Sequence, residues 1–118
     1  MNVVTLIGNL ATDVELRDLG EERKLATFVL AVDRPGSEGG ADFVRVAAWN
    51  KQAETCGRHL AKGKLVAVDG RLRSRSWEDA DGRRRTSLEV AASTVEFLPA
   101  TRARASAEAP FEEATMSA

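Results

Sequence analysis

Residues 64–77 read KLVAVDGRLRSRSW, and their alternation decides the fold. Successive side chains of a β-strand point to opposite faces. One face here carries Val66, Val68, Gly70 and Leu72, which suits a core; the other carries Asp69, Arg71, Arg73, Arg75 and Trp77. Arginines spaced about 7 Å apart along one face are poor core material. They suit a flexible polyanion with stackable rings, which needs cations for its charges and an aromatic platform for its rings. The plainer alternative is a solvated barrel face that ends in a packing tryptophan.

The same arrangement recurs upstream in Asp42–Trp49. Val44, Val46 and Ala48 form one face, and Phe43, Arg45, Ala47 and Trp49 the other. Cross-strand packing could account for the two rings alone, but finding cation and aromatic together on two strands favours binding. Between the two strands the period changes. Asn50–Lys62 places Ala53, Cys56, Gly57 and Leu60 on one helical face, with Asn50 as the expected N-cap and Gly63 as the stop. After the arginine strand, Glu78–Gly82 ends in Asp81-Gly82, a hairpin signal. A return strand, Arg83–Leu98, then alternates through Leu88, Val90 and Ala92 as its core face.

Working back to the start, Val3–Leu10 alternates and is interrupted by Gly8, so a strand with a bend or bulge is expected there. Thr12–Leu19 continues it more weakly, and Leu19–Glu22 is a turn. Lys24–Val32 is apolar on both faces, as in a closed barrel, and Arg34–Ala41 is a loop by composition. The order strand, strand, strand, helix, strand, strand predicts an all-β OB-fold: a five-stranded Greek-key barrel with one short helix between strands 3 and 4. Residues 1–99 form that domain. Residues 100–118, rich in Ala, Ser and Glu without a period, read as a disordered tail.

Composition narrows the function classes. The chain has 118 residues, 43% hydrophobic and 30% charged, which fits one soluble domain. It has no apolar run of the ~18 residues a membrane helix takes, and MNVVTLIGNL reads as a first strand rather than a leader. Net charge is −1, yet residues 1–44 carry −4, residues 45–85 carry +6 and residues 86–118 carry −3. The positive charge is gathered around the two ring-and-arginine strands, and a local patch sets the local field. Cys56 is the only cysteine and His59 the only histidine. Two ligands do not make a zinc site, so no metal, cofactor or catalytic residue is expected; Cys56 reads as core and His59 as surface. A lone cysteine also fits a reducing, cytoplasmic setting.

These residues carry a resemblance to the bacterial single-stranded DNA-binding protein family over residues 1–98. It rests on Leu6-Ile7-Gly8-Asn9-Leu10 with Asp13-Val14-Glu15-Leu16-Arg17, and on Leu25-Ala26-Thr27-Phe28 with Leu30-Ala31-Val32. Asp42-Phe43, Trp49-Asn50-Lys51-Gln52-Ala53-Glu54, Leu60-Ala61-Lys62-Gly63 and Gly70-Arg71-Leu72-Arg73-Ser74-Arg75-Ser76-Trp77 complete it. The resemblance implies sequence-independent binding of single-stranded DNA in replication, recombination and repair, as a nucleoid-associated homotetramer in the cytoplasm. It implies stacking roles for Phe43, Trp49 and Trp77, and phosphate contacts for Arg45, Lys51, Lys62, Arg73 and Arg75. Arg71 joins this set from periodicity alone, and Lys51 and Lys62 from the resemblance alone. The strand would lie across a face made by strands 3 and 4.

Three departures qualify it. Arg34-Pro35-Gly36 offers no aromatic after the second strand, where the family often has one, and Val14 replaces a usual proline. The family's acidic tip closing on Pro-Phe recruits replication and repair proteins. Here Pro110-Phe111 stands seven residues from the end, followed by Glu112-Glu113 and the neutral Ala114–Ala118. The expectation is a shortened paralogue that binds DNA without serving as a recruitment hub. A primosomal OB-fold adaptor and an RNA-binding barrel are the alternative readings; an enzyme is the least supported.

Overall fold

Strands form where the alternation predicts them, as six rather than five. A computed structural model describes residues 1–36 and 39–99 of the chain. The predicted tail 100–118, with its Pro110-Phe111 cluster, lies outside the described residues. Strands β1 (Val4–Leu10), β2 (Glu15–Gly20), β3 (Arg23–Asp33) and β4 (Ala41–Trp49) precede helix α1 (Asn50–His59). Strands β5 (Leu65–Glu78) and β6 (Arg84–Phe97) follow it. They form one sheet in the order β1-β5-β6-β4-β3-β2. Asn9 and Leu10 of β1 then pair with Ala31 and Leu30 of β3, which closes the sheet on itself. Because β2 runs on along β3 from there, β1 and β2 act as one interrupted strand, and the architecture is the OB-fold. All pairings are antiparallel except β4 with β6, where Val46 meets Val90 and Ala47 meets Ala91.

The inward faces of these strands supply the core: Leu10, Ala26, Phe28, Leu30, Val46, Ala48, Val66, Val68 and Val90 are all buried. Burying a side chain of the Leu, Val or Phe class gains roughly 1.5–3 kcal/mol. Helix α1 covers one end with Ala53 and Cys56, and Leu60 follows them inward. Burial pushes the Cys56 thiol up to about 11, so it stays protonated and packs as an apolar group. His59 is exposed, as expected.

Several local expectations are corrected. Pairing runs without a break through Gly8, opposite Val66, so there is no bulge there. Gly8 serves a close approach instead: a Cβ would lie 2.2 Å from the Ala31 carbonyl oxygen. Register shifts fall elsewhere: between β2 and β3 at Asp18–Gly20, and between β5 and β6, where Asp69 faces Thr94 but Gly70 faces Ala92, leaving Ser93 extra. Asn50 is not the N-cap. Trp49 holds that position without a side-chain bond, while Asn50 adopts φ 56° and its Oδ1 accepts the Lys24 N–H at 3.2 Å. The helix stops at His59 rather than Lys62, because Leu60 turns extended and buries its side chain. Gly57, expected on the buried face, is exposed.

The largest correction concerns Leu72 and Leu88, expected in the core but 39% and 62% exposed. Beyond Gly70, β5 has no β1 partner, and before Val90, β6 has no β4 partner. From there the two backbones pair only with each other; Arg73 and Glu89 still reach Trp49 and Arg45 of β4 through their side chains, and beyond them the strands leave the barrel as a two-stranded arm. Asn2 alone reaches its base, giving and accepting side-chain hydrogen bonds with the Leu72 backbone at 2.7 and 2.9 Å.

Candidate nucleic-acid interface

Alternation along β4 and β5 turns Phe43, Arg45 and Trp49, and Arg71, Arg73, Arg75 and Trp77, to the outside of the sheet. These are strands 3 and 4 of the expected barrel, and they are not neighbours. Strand β6 lies between them, and it brings a residue that the sequence reading does not contain. Arg73 faces Glu89 across β5–β6, and the parallel β4–β6 register sets Arg45 beside the same residue.

Glu89 is 2% exposed. Its Oε1 accepts Arg45 Nε at 3.2 Å; its Oε2 accepts Arg73 Nε at 2.8 Å and Nη2 at 2.6 Å. One buried carboxylate thus holds two arginines that the sequence presents as separate phosphate contacts. Hydrogen bonds on both oxygens offset the cost of burying the carboxylate. Arg73 also lies over the Trp49 ring, 4.5 Å from its centroid. Trp49, half-buried and paired with Leu25 of β3, is thereby packed into the barrel wall. Phe43 is 44% exposed further along β4.

The arm repeats the theme with looser support. Arg75 lies over Trp77 at 4.7 Å, and Trp77 is 38% exposed. Arg71 and Arg75 have no carboxylate partner among the described residues. Arg85, opposite Trp77, donates to Asp79 Oδ2 at 2.8 Å. Asp79 Oδ1 accepts the N–H groups of Asp81 and Arg83, which closes the turn at the tip. The Arg85 hydrogen bond and then the Arg83 N–H hold the Asp79 carboxyl below its ordinary range.

The two lysines fall apart. Lys51 starts α1 and lines a groove with Trp49, Gln52, Val95 and Phe97, so it borders the cluster. Lys62 lies past the opposite end of the helix, about 15 Å along its axis. Its N–H donates to Asp13 Oδ1 at 2.9 Å, in the link between β1 and β2. The structure therefore gathers Phe43, Arg45, Trp49, Arg71, Arg73, Arg75 and Trp77 on one side, with Lys51 at its margin and Lys62 outside the cluster. Glu89 itself was open to discovery by alternation, since Ser87, Glu89 and Ala91 share a face of β6. Its pairing with Arg45 depends on a strand register that no local pattern encodes.

Comparison with known proteins identifies the family. The Single-strand binding protein family matches residues 1–98. A single-stranded DNA-binding protein of Clostridium tetani is 48% identical over 102 residues, covering 83% of this chain and 70% of that protein. "Single-stranded DNA-binding protein 3" of Clostridium acetobutylicum is 44% identical over 102 residues, with 83% and 71% covered. The single-stranded DNA-binding protein of Caldanaerobacter subterraneus is 39% identical over 117 residues, with 96% and 78% covered.

Proposed function

Because the chain belongs to the single-strand binding protein family, we propose that it binds and protects single-stranded DNA without sequence preference during replication, recombination and repair. The observation that carries this reading is the Trp49–Arg73–Glu89–Arg45 cluster beside the Arg75–Trp77 pair. Bases stack on Phe43, Trp49 and Trp77, each worth about 1–3 kcal/mol by truncation, a figure drawn from single-strand-binding OB-folds among others. Every base has a π-face, so sequence preference is slight. In a duplex those faces are already stacked on each other, so the single strand is selected. Arg45, Arg71, Arg73, Arg75 and Lys51 neutralise phosphates along the path, and Lys62 serves a strand that continues around the helix.

Residues 1–99 are the binding unit in this reading, with 100–118 a tail, and the protein works in the cytoplasm as a homotetramer. Two features support self-association. Val4–Gly8 of β1 pairs on one side only, with β5; Val3 just before it and Ile7 within it are 67% and 51% exposed. Several such units on one strand raise avidity beyond what a single barrel offers. No helix among the described residues is long and apolar enough to cross a membrane.

Titration with oligothymidine tests the proposal. The chain has two tryptophans and no tyrosine, so its fluorescence reports on Trp49 and Trp77. Strong quenching at low salt is expected, with affinity falling on a log–log salt slope of about −0.7 per phosphate neutralised. An unchanged signal together with no gel shift overturns it. Sedimentation of the free protein tests the tetramer.

A further inference from the structure

We propose that Glu89 is a positioning residue that makes this interface select strands carrying bases over bare polyanions, an inference that rests on the single-strand-binding function proposed above. A surface evolved only to attract phosphate has no use for a carboxylate between its arginines. Here one stands at the centre of the face, 2% exposed, with both oxygens bonded to Arg45 and Arg73. Stability is a weak reason for it, since a buried ion pair is often matched or bettered by apolar residues of similar volume. Its effects on the ligand side are specific.

The first effect is on charge. With Glu89 between them, Arg45 and Arg73 together carry a net +1 rather than +2. Fewer condensed counterions are released there when a phosphate arrives, so attraction that ignores bases is reduced. The second effect is on geometry. Glu89 takes the Nε and Nη2 edge of Arg73 and holds that guanidinium over the Trp49 ring. Guanidinium and indole are both surfaces on which bases stack, so the cluster offers an ordered stacking platform where the charge has been lowered. Arg71 and Arg75, two residues to either side of Arg73 on β5, have no such carboxylate among the described residues and keep their full attraction for phosphate. A ligand made only of phosphates gains little at the Arg45–Arg73 pair; one with bases gains the platform.

The test compares oligothymidine with long-chain inorganic polyphosphate, matched in number of phosphates, across a salt series. In Glu89→Gln the carboxylate is neutral at nearly constant volume. Polyphosphate affinity is expected to rise about 5- to 10-fold near 50 mM salt, with a log–log slope steeper by about 0.7. Oligothymidine affinity stays level or falls, so the preference for oligothymidine drops by about 5-fold or more. Glu89→Asp keeps the charge and restores the wild-type slope. If Glu89→Gln does not give a folded protein by circular dichroism, Arg73→Lys carries the test. It keeps the charge but not the plane, so the salt slope is retained while the preference for oligothymidine falls. Equal changes for both ligands in Glu89→Gln, or an undiminished preference in Arg73→Lys, overturn the inference while leaving single-strand binding intact. Failure of the wild-type chain to bind oligothymidine overturns both.

Discussion

Arg73 lies over Trp49 on the wall of the barrel, and Arg75 lies over Trp77 on the arm that leaves it, at 4.5 and 4.7 Å. The contacts are alike and the supports differ. Beneath the first pair, β5 is flanked by β6 and then β4, and Glu89 ties all three strands together. Beneath the second, two strands pair only with each other, and a two-stranded ribbon is marginally stable by itself. The arm is held by cross-strand contacts such as Ser76 with Thr86 and by Asp79 at its turn. The candidate surface thus has a braced half, where Glu89 offsets two arginines, and a compliant half, where Arg75 has no carboxylate partner among the described residues.

Gly70, the last β5 residue paired with β1, stands at the root of both halves, and altering it breaks the comparison most severely. A Cβ there would sit 2.1 Å from the Ala91 carbonyl oxygen. Gly70→Ala is expected to cost about 1–3 kcal/mol of stability, as overpacking does, and thermal melting reads the loss. Trp49→Ala comes next: affinity for oligothymidine falls toward the upper end of about 1–3 kcal/mol, and the melting temperature falls as well, because Arg73 and the barrel wall lose a packing partner. Trp77→Ala removes a ring of similar size from the arm, so affinity falls toward the lower end of that range with melting unchanged. Equal losses from the two tryptophans would erase the distinction.

Smaller effects sharpen it. Arg75→Gln flattens the salt slope by about 0.7, one unmatched cation on a single strand, and fluorescence titration at several salt concentrations measures this. Acid acts on the arm through Asp79. Its folded-state carboxyl is depressed, so its contribution is complete above the ordinary aspartate range near pH 4 and is lost as pH falls through the depressed value. Amide exchange at Asp81 and Arg83 should therefore accelerate below about pH 4 while the barrel amides of Val66 and Val68 stay protected.

Alternation made each half legible in the sequence, since it needs only neighbours in the chain. It placed Phe43, Arg45 and Trp49 on one side of β4, and Arg71 to Trp77 on one side of β5. What it could not supply was distance between strands. Glu89 reads as an ordinary polar position until the β4–β6 register puts it against Arg45. Leu72 and Leu88 read as core because their period is right, but they lie past the last strands that could cover them. Asn50 has the chemistry of a cap, yet its side chain is engaged by the Lys24 N–H.

The parallel seam of β4 and β6 has a kinetic and thermodynamic consequence. It joins segments 44 residues apart through two residue pairs, whereas the β3–β4 and β5–β6 hairpins are local. Non-local pairing of this kind must pay loop-closure entropy before its contacts form. Arg45 meets Glu89 only when the seam is shut, so partly folded chains lack the complete cradle, and the polynucleotide binds the finished form alone. Ligand at 100 times its Kd then deepens the native well by about 2.7 kcal/mol, and the protection it confers should be read first at Val46, Ala47, Val90 and Ala91.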